Sequence, residues 1–247
     1  MKQAPVITVP AFASARSGVR HFFGTRRHSA RLGLEVGVPA PVQGMAGAAR
    51  CSWMLSVKQT HGTEALVVDR KLTPSDRFQD GWDALVTDQP GIMVAVRTAD
   101  CVPVLLHDPT RNVVAAVHAG WRGAVAGIMR KTIAVMGERF GTVPEHLRIG
   151  IGPSAGPCCY EVDEPVLGKL HQACPDSEKV VHVKRGGKRH LDLKMLVRAQ
   201  ATAAGARADS ITSVNLCTIC HEDLFFSYRR EGKVLGTMVS AIGLTAV

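Results

Sequence analysis

The stretch from residue 99 to 123, ADCVPVLLHDPTRNVVAAVHAGWRG, carries the most informative pattern in this chain. Two apolar runs, residues 102–106 and 113–118, flank a polar segment that begins with Asp108-Pro109. Short runs rich in Val and Leu are typical of buried β-strands, and proline suits the second position of a type I turn. The sequence therefore predicts a β-hairpin here.

The turn of this hairpin decides which residues face each other. If Pro109 and Thr110 are the two turn residues, Cys101 lies directly opposite His118. Such cross-strand partners have Cβ atoms roughly 4.5–5.5 Å apart and point to the same face of the sheet. A thiolate and an imidazole in these positions can share one metal ion. Pro103 cannot donate to the strand ladder, so it marks an edge or a bulge that would move the register by one.

His61 is the candidate third ligand of such a site. It follows an apolar run, residues 51–58, and precedes Gly62, which indicates a tight loop at a strand end. Three protein ligands with one open position are the usual arrangement of catalytic zinc. The pair of Cys101 and His118 suits equally a cysteine hydrolase, with the thiol as nucleophile and the imidazole as base. Metal content separates these two hypotheses.

The other cysteines and histidines are predicted to have structural roles. Cys217 and Cys220 form one CxxC pair, but no second pair has the spacing of a structural zinc site, which favours packed, reduced thiols. Cys158-Cys159 is a vicinal pair, predicted to be structural or to line the site. His107 is too far along the strand from Cys101 to join it, and we expect a turn residue. Surface positions are expected for the histidines at positions 21, 28, 146, 171, 182 and 190.

Composition limits the class of protein. A chain of 247 residues can form one large domain, and we expect a single domain over residues 1–247. The net charge of +9 favours anionic partners, yet the sequence has no RNP, KH or helix-turn-helix signature, so we expect no specific nucleic-acid binding. Interrupted apolar stretches predict no membrane span and no signal peptide. Seven unevenly spaced cysteines indicate reduced thiols and a cytoplasmic protein. We expect a monomer or a homodimer.

Hydrophobic periodicity predicts the remaining elements. Further strands are expected at residues 51–58 with 65–68 as their neighbour, and at 92–101, 147–151, 211–216 and 234–242, with a hairpin over 182–193. Helices are expected at residues 124–140, 164–173 and 193–205. Phe225, Phe226 and Tyr228 have the alternation of a strand. The mixture with short connections indicates the α+β class.

An ordered series of motifs extends this pattern over most of the chain. They are VKQTHG (57–62), DALVTDQPGIMVAVRTADCVPVLLHDP (83–109), VAAVHAGWRGAVAGI (114–128), IGIGPSAGPCCYEV (149–162), LDL (191–193) and CTICHEDLFFSYRREG (217–232). With these motifs the chain, from about residue 51 onward, resembles the YfiH-like family, also called the laccase-domain or polyphenol oxidase family. Members of this family are described as purine nucleoside phosphorylases.

The resemblance implies an α+β fold with mixed β-sheets sandwiched between helices and a metal site at His61, Cys101 and His118. It implies phosphorolysis of adenosine, inosine and methylthioadenosine, together with deamination of adenosine. Zinc is the expected cofactor, and purine nucleosides and phosphate are the expected partners. Copper-dependent oxidation of phenols has also been attributed to the family, so copper is a second possibility. A laccase, however, needs several copper ions and many histidine ligands, which this chain does not show at suitable spacing.

The residues around the ligands suggest further roles. Asp100 is the candidate catalytic acid beside the three ligands, managing protons during deamination, or alternatively a second-layer partner or a turn cap. Arg122, just before the predicted helix, is a candidate phosphate ligand, assisted by helix N-terminal amides. Trp121 stacks on a base or packs in the core. Solvated positions are expected for Arg229 and Arg230.

The N-terminal segment, residues 1–50, departs from the family pattern. Residues 22–45, FFGTRRHSARLGLEVGVPAPVQGM, are shorter than usual and lack the family's GGVS and NLG forms. Thr25-Arg26 is retained, which makes Arg26 a candidate substrate-binding residue. Because the asparagine of the NLG form is missing, there is no basis for expecting the other substrate contacts of that loop.

Overall fold

The computed structural model describes residues 6–12, 18–30, 32–42, 48 and 50–246. The rest of the shortened N-terminal segment lies outside the described residues. The strands are β1 Val6–Ile7, β2 Val19–Gly24, β3 Ala40–Pro41, β4 Trp53–Ser56, β5 Ala65–Val68, β6 Ala84–Thr87, β7 Ile92–Thr98, β8 Val102–Asp108, β9 Val113–Ala119, β10 Arg148–Ile151, β11 Val181–Val183, β12 Arg189–Leu191, β13 Ile211–Ser213 and β14 Met238–Leu244. The α-helices are α1 Arg26–Ser29, α2 Trp121–Val125, α3 Ile128–Phe140, α4 Glu164–Ala173, α5 Leu193–Ala203 and α6 Tyr228–Glu231.

The strands form two six-stranded sheets and one small ribbon of β11 and β12. The first sheet has the order β1-β2-β14-β7-β4-β3, and the second has the order β13-β10-β8-β9-β6-β5. Both sheets are mixed, because β4–β7, β5–β6 and β10–β13 pair in parallel while the other neighbours are antiparallel. The predicted α+β class with mixed sheets is confirmed.

The two sheets pack face to face, and the central hairpin shows why. Side chains alternate along a strand, so β8 sends Leu105 into the core between the sheets and Val104 and Leu106 to the other face. That other face is covered by α3, α4 and α5. Every residue of β8 and β9 is buried, which explains why both read as nearly continuous apolar runs.

Helices cover the two outer faces unequally. The three long helices pack on the second sheet, whereas the outer face of the first sheet carries the short α1 and the chain around Leu34 and Val42. Within the described ranges, no helix combines the length and the apolar character needed to cross a bilayer.

The predicted hairpin exists, but its turn is longer than expected. Asp108 accepts hydrogen bonds from the backbone N–H groups of Thr110 and Arg111, and Asn112 adopts a left-handed conformation with φ 52°. This four-residue loop shifts the register by two, so Pro103 rather than Cys101 faces His118. A shift of two preserves the face on which each side chain lies, because side chains alternate with period two.

The expectation that His107 is a turn residue is wrong. It lies inside β8 opposite Val114 and is fully buried between the sheets. Burial, together with the positive charge of Arg148, lowers the pKa of this imidazole to about 4, so it is neutral at pH 7. The surface expectation is also wrong for His21, His28 and His190, which are buried.

Three further local expectations need correction. The helix expected at residues 124–140 is two helices, α2 and α3, separated at Gly127, whose φ is 89°. Strand β5 pairs with β6 of the second sheet, and not with β4. Tyr228 begins the short helix α6, so the alternation of residues 225–228 does not form a strand.

We predict that Leu105→Ala lowers the free energy of unfolding by about 2–5 kcal/mol, because it removes a fully buried side chain between two sheets that cannot close the gap. Leu235→Ala is the matched control, since Leu235 is 55% exposed and should change stability by less than about 0.5 kcal/mol. Urea unfolding measures both. Equal effects of the two substitutions would contradict this account of the core.

Candidate metal centre and active site

The candidate site lies where the chain crosses from one sheet to the other. Strands β4 and β7 run parallel, so their C-terminal ends lie at one edge of the first sheet. The short segment after β7 carries Asp100 and Cys101 across to the start of β8 in the second sheet. That start lies beside the end of β9, which holds His118. His61 occupies the loop that follows β4.

These elements bring the three predicted ligands together. The Nε2 atom of His61 is 3.8 Å from the sulfur of Cys101, and the ring centroids of His61 and His118 are 4.8 Å apart at 81°. The ligand atoms of all three residues lie within 4.8 Å of one another. Cys101 therefore reaches His118 diagonally across the hairpin, not as a directly opposite partner.

Asp83, just before β6, orients two of the three ligands. Its carboxylate is fully buried and accepts hydrogen bonds from the backbone N–H groups of Thr60 (3.1 Å), His61 (2.9 Å) and Gly62 (2.7 Å). It also lies 2.7 Å from Nδ1 of His118. A donor role for Nδ1 leaves Nε2 for a ligand, which is the carboxylate–histidine arrangement common behind metal sites. Sequence reasoning gave Asp83 no role.

Two glycines allow α2 to approach the loop of His61. A Cβ atom on Gly120 would lie 2.6 Å from Cδ2 of His61 and 3.2 Å from the sulfur of Cys101. A Cβ atom on Gly123 would lie 2.5 Å from the carbonyl oxygen of Gly62. The two glycines of HAGWRG are therefore required by close contacts at the site.

The thiol of Cys101 and the imidazole of His118 influence each other's protonation. Burial would raise the pKa of Cys101, but the neighbouring His118 and His61 outweigh it and lower that pKa to about 6. Burial would lower the pKa of His118, but Cys101 and Asp83 raise it to about 9. The pair thus favours a thiolate, which is the form that binds a metal or acts as a nucleophile.

A cavity of about 560 Å³ opens onto the three ligands. Three aromatic rings line it: Trp121, Tyr160 and Tyr228. Four cationic side chains also line it, namely Lys58, Arg97, Arg122 and Arg229. The only carboxylate among the lining residues is that of Asp100. The cavity therefore favours an anionic ligand with a flat ring.

Arg122 is the second residue of the five-residue helix α2 and is exposed to the cavity. Its guanidinium lies 4.4 Å from the ring centroid of Trp121. Within the described part of the chain it forms no ion pair or hydrogen bond. Trp121 is half-buried, packs against the core and lines the cavity, so it combines the two roles considered for it.

Asp100 has a left-handed conformation with φ 89° and a buried carboxylate. That carboxylate accepts hydrogen bonds from the hydroxyls of Thr218 (2.6 Å) and Ser227 (2.9 Å) and from the backbone N–H of Arg229 (2.7 Å). Asp100 therefore links the segment that contains Cys101 to the loop of Thr218 and to the start of α6.

Arg26 lies outside the cavity lining. Its guanidinium forms an ion pair with Glu231 at 3.0 Å, donates to the carbonyl oxygen of Glu222 and covers the ring of Phe226. The structure thus brings together the three ligands, Asp100, Trp121 and Arg122, but not Arg26.

Two cavity arginines were not identified from the sequence. The guanidinium of Arg97 is half-buried, donates to the carbonyl oxygen of Leu34, and has an Nε atom without a partner in the described residues. Arg229 is exposed, as expected, and its guanidinium lies over the ring of Tyr160 at the cavity. The expectation of a solvated Arg230 is wrong, because its guanidinium is half-buried and donates to the carbonyl oxygens of residues 218, 219 and 225. An isolated arginine gives no periodic signal that would identify such positions.

The three ligands fit a metal ion. One thiolate and two imidazoles form a donor set suited to zinc, and also to copper. Their separations, within 4.8 Å, allow one ion to contact all three atoms after small side-chain movements. The cavity leaves one side of the cluster open.

Comparisons with known proteins identify the family to which the chain is similar. Residues 40–245 match the family described as multi-copper polyphenol oxidoreductase laccase. The chain is 38% identical over 190 residues to a protein of Bacteroides thetaiotaomicron named purine nucleoside phosphorylase, covering 74% of this chain and 70% of that protein. It is 36% identical over 181 residues to adenosine deaminase RL5 of an unknown prokaryotic organism, covering 71% and 69%. The crystal structure of YlmD from Geobacillus stearothermophilus is similar with a TM-score of 0.79 and 28% identity, covering 100% of this chain and 98% of that one.

The two facing mixed sheets, together with these similarities, define a laccase-domain protein. The chain belongs to the multi-copper polyphenol oxidoreductase laccase family, which is the YfiH-like family that its motifs resemble. That part of the sequence interpretation is confirmed.

We predict that Asp83→Asn lowers the free energy of unfolding of metal-free protein by about 3 kcal/mol at neutral pH, because it leaves His118 without its charged partner. Hydrogen bonds from His118 and Gly62 outweigh burial and hold the pKa of Asp83 below 3.8. This stabilisation is present above the unfolded-state pKa and is lost as pH falls through the lower folded-state pKa. The difference between wild type and variant should therefore shrink in acid.

Asp80→Asn is the matched control, because Asp80 forms an exposed ion pair with Lys58 and should contribute about 0–1 kcal/mol. Urea unfolding with a chelator present, at neutral and acidic pH, measures both variants. A loss for Asp83→Asn that is no larger than that for Asp80→Asn would show that the carboxylate does not organise the site.

Proposed function

We propose that the protein is a zinc-dependent purine nucleoside phosphorylase acting on adenosine, inosine and methylthioadenosine, with adenosine deaminase activity. The observation that carries the proposal is a single cavity that combines the His–Cys–His cluster with aromatic rings and four cationic side chains. A nucleoside supplies a flat base and phosphate supplies a compact anion, so both substrates match this lining. The names of the relatives point to the same two activities.

In this proposal His61, Cys101 and His118 hold the zinc ion. When bound, zinc supplies Lewis acidity, which polarises a substrate oxygen or acidifies water at the open side of the site. Asp83 fixes the ring of His118 through Nδ1 and shapes the loop of His61 through three backbone N–H groups. The ligands are thereby oriented before the ion binds, which reduces the cost of reorganisation.

Arg122 is the proposed phosphate ligand. Its guanidinium has no carboxylate partner in the described residues, so it can make two parallel hydrogen bonds to phosphate oxygens. Helix α2, which contains it, is too short to supply a strong dipole, so the side-chain charge is the main contribution. Arg97 and Arg229 add positive charge along the same wall.

The purine base requires a flat apolar contact. Arg122 covers a face of Trp121, and Arg229 covers the ring of Tyr160. Tyr228 is 56% exposed and lines the cavity. We assign the stacking role to Tyr228, with Trp121 holding Arg122 in place.

Asp100 is a positioning residue in this proposal. All three groups that donate to its carboxylate are protein groups, and they hold the side chain in one orientation. Asp100 precedes Cys101 in the chain, and its carboxylate binds the backbone N–H of Arg229.

The two reactions differ in nucleophile and in the bond that breaks. In phosphorolysis a phosphate oxygen forms a bond to the anomeric carbon of the ribose, and the glycosidic bond breaks with its electron pair leaving on the base, which takes up a proton. The products are the free base and ribose 1-phosphate. In deamination water adds to C6 of adenosine, and ammonia leaves to give inosine. Only the first reaction needs the phosphate ligand.

Two other activities remain as competing hypotheses. The lowered pKa of Cys101 and the raised pKa of His118 also suit a cysteine hydrolase with a thiolate–imidazolium pair. His61, however, is within 3.8 Å of the same sulfur, and a hydrolase of this type has no need for a second imidazole there. Copper-dependent phenol oxidation is less favoured, because only one cluster among the described residues contains histidine.

We predict that Cys101→Ala loses about one zinc ion per chain and both nucleoside activities while remaining folded, because a three-ligand site cannot hold zinc tightly with two. Cys174→Ala is the control, since Cys174 lies at the end of α4 and does not line the cavity. Elemental analysis and circular dichroism provide the measurements. Unchanged metal content in Cys101→Ala would exclude this metal site, and metal-independent hydrolysis requiring Cys101 would support the hydrolase.

We predict that Arg122→Ala raises the phosphate concentration needed for half-maximal adenosine cleavage by about 10–100-fold, which corresponds to the loss of a charge-assisted hydrogen bond. Deamination should proceed without phosphate and change little. Arg122→Lys should restore the phosphate response only in part, because the planar fork is lost. Measuring adenine, ribose 1-phosphate and inosine across a phosphate titration tests this.

Arg111→Ala is the control for charge, since Arg111 lies in the β8–β9 loop and donates to the carbonyl oxygen of Gly141. Metal content should stay the same in all these variants. If Arg122 merely holds its loop, its removal will lower stability and both activities together, with no selective change in the response to phosphate.

A further inference from the structure

Four of the seven cysteines converge at a second place in the fold. Strands β10 and β13 are parallel neighbours, so the loops that follow them leave the same edge of the second sheet. The first loop carries Cys158 and Cys159, and the second carries Cys217 and Cys220. The sulfur of Cys220 is 3.6 Å from that of Cys158 and 3.3 Å from that of Cys159. All four sulfur atoms lie within 4.8 Å of one another.

We propose that Cys158, Cys159, Cys217 and Cys220 form a tetrahedral zinc site that is separate from the site in the cavity. A zinc ion with Zn–S bonds of about 2.3 Å places its four sulfur ligands roughly 3.8 Å apart. The two shortest separations, 3.3 and 3.6 Å, are slightly below this value and all four sulfur atoms lie within 4.8 Å of one another, so small side-chain rotations complete the tetrahedron. Four protein ligands close the coordination shell, which is typical of structural zinc rather than catalytic zinc.

The sulfur arrangement favours a metal over disulfides. A disulfide joins two sulfur atoms at about 2.05 Å and needs no third sulfur nearby. Here Cys220 contacts both Cys158 and Cys159 at nonbonded distances, and Cys217 completes the group. The CxxC spacing of Cys217 and Cys220 is also typical of one half of a zinc site. The second half of the site was not recognisable from the sequence, because the other two proposed ligands, Cys158 and Cys159, are adjacent in the chain.

The surroundings supply partners for thiolates. The backbone N–H of Gly156 donates to the sulfur of Cys217 at 3.3 Å. The ammonium of Lys194 donates to the carbonyl oxygens of Val214 and Leu216, and it lines the same open groove as Cys158 and Cys217. Hydrogen bonds and positive charge around bound thiolates are common features of such sites. Zinc binding releases the thiol protons to solvent.

The proposed zinc site connects to the cavity through one residue. Thr218 lies between the two cysteines of the CxxC loop, and its hydroxyl donates to the carboxylate of Asp100 at 2.6 Å. The guanidinium of Arg230 holds the same loop through the carbonyl oxygens of Thr218 and Ile219. Zinc would therefore fix the loop that positions Asp100 and, through it, the segment of Cys101.

Metal titration of the full-length protein tests the proposal. Protein stripped with a chelator under reducing conditions is titrated with Zn²⁺, and bound zinc is counted by elemental analysis. We expect about two zinc ions per wild-type chain, about one in Cys220→Ser and about one in Cys101→Ala. Cys174→Ser, which removes a thiol outside the cluster, should match wild type. Cys159→Ser is a second ligand variant in case Cys220→Ser fails to fold.

Cobalt distinguishes the two sites by their sulfur content. In Cys101→Ala, the cavity site has no thiolate, so strong thiolate-to-cobalt charge-transfer absorption with Co²⁺ must come from the four cysteines. We expect that absorption to persist in Cys101→Ala and to fall sharply in Cys220→Ser. Its absence from Cys101→Ala would overturn the proposal, as would zinc content unchanged by Cys220→Ser and Cys159→Ser.

The metal counts also separate this proposal from the proposed function of the cavity. If the cavity site binds no metal, Cys101→Ala will keep the wild-type content of one zinc ion, which Cys220→Ser will lose. Disulfides can be sought in protein isolated without reductant, because each one lowers the mass by two hydrogens. A loss of this kind mapped to these four cysteines would overturn the zinc assignment in favour of disulfides. Iron in place of zinc, with its visible absorption, would overturn it in favour of an iron centre.

Discussion

The geometry of the cavity site depends on the buried carboxylate of Asp83. It receives three backbone N–H groups from the loop of His61 and faces Nδ1 of His118, so one side chain orients two ligands from different parts of the chain. An ionised carboxylate with no exposure is costly unless such partners surround it. The loop supplies the hydrogen-bond donors that a buried Asp83 needs, and Asp83 in turn fixes the conformation of the loop. Because His61 itself has φ 62°, this external support holds a conformation that a β-carbon disfavours.

The sequence contained enough to predict the α+β class, the central hairpin and the proximity of Cys101 and His118. Nearly continuous apolar runs identified β8 and β9, because both faces of these strands are covered. The proximity of Cys101 and His118 was predicted correctly from a wrong register. The error was two residues, and an even shift returns each side chain to the same face of the sheet. The prediction would have failed with an error of one.

Other features depended on contacts that local patterns do not contain. Asp83 and Arg97 are single polar residues beside apolar runs, and only tertiary structure shows what they face. His107 was expected in a turn because it is too far along the strand from Cys101 to join that site, yet the sheets bury it as a neutral ring. The cysteine cluster joins loops that are about sixty residues apart, so spacing rules written for two CxxC pairs did not apply to it. The break between α2 and α3 depends on the left-handed conformation of Gly127 inside an otherwise helical pattern.

The close contact between α2 and the loop of His61 has a consequence for protein engineering. Exposed positions on the cavity wall, such as Tyr228 and Arg229, can be varied by design. Gly120 and Gly123 cannot, since any side chain on them would collide with the ring of His61 or the carbonyl of Gly62. Libraries that aim to change the metal or the reaction should therefore keep these two positions fixed and diversify the cavity wall formed by Tyr228 and Arg229 instead. The backbone spacing of the site, more than its ligands, limits what this scaffold can be redesigned to do.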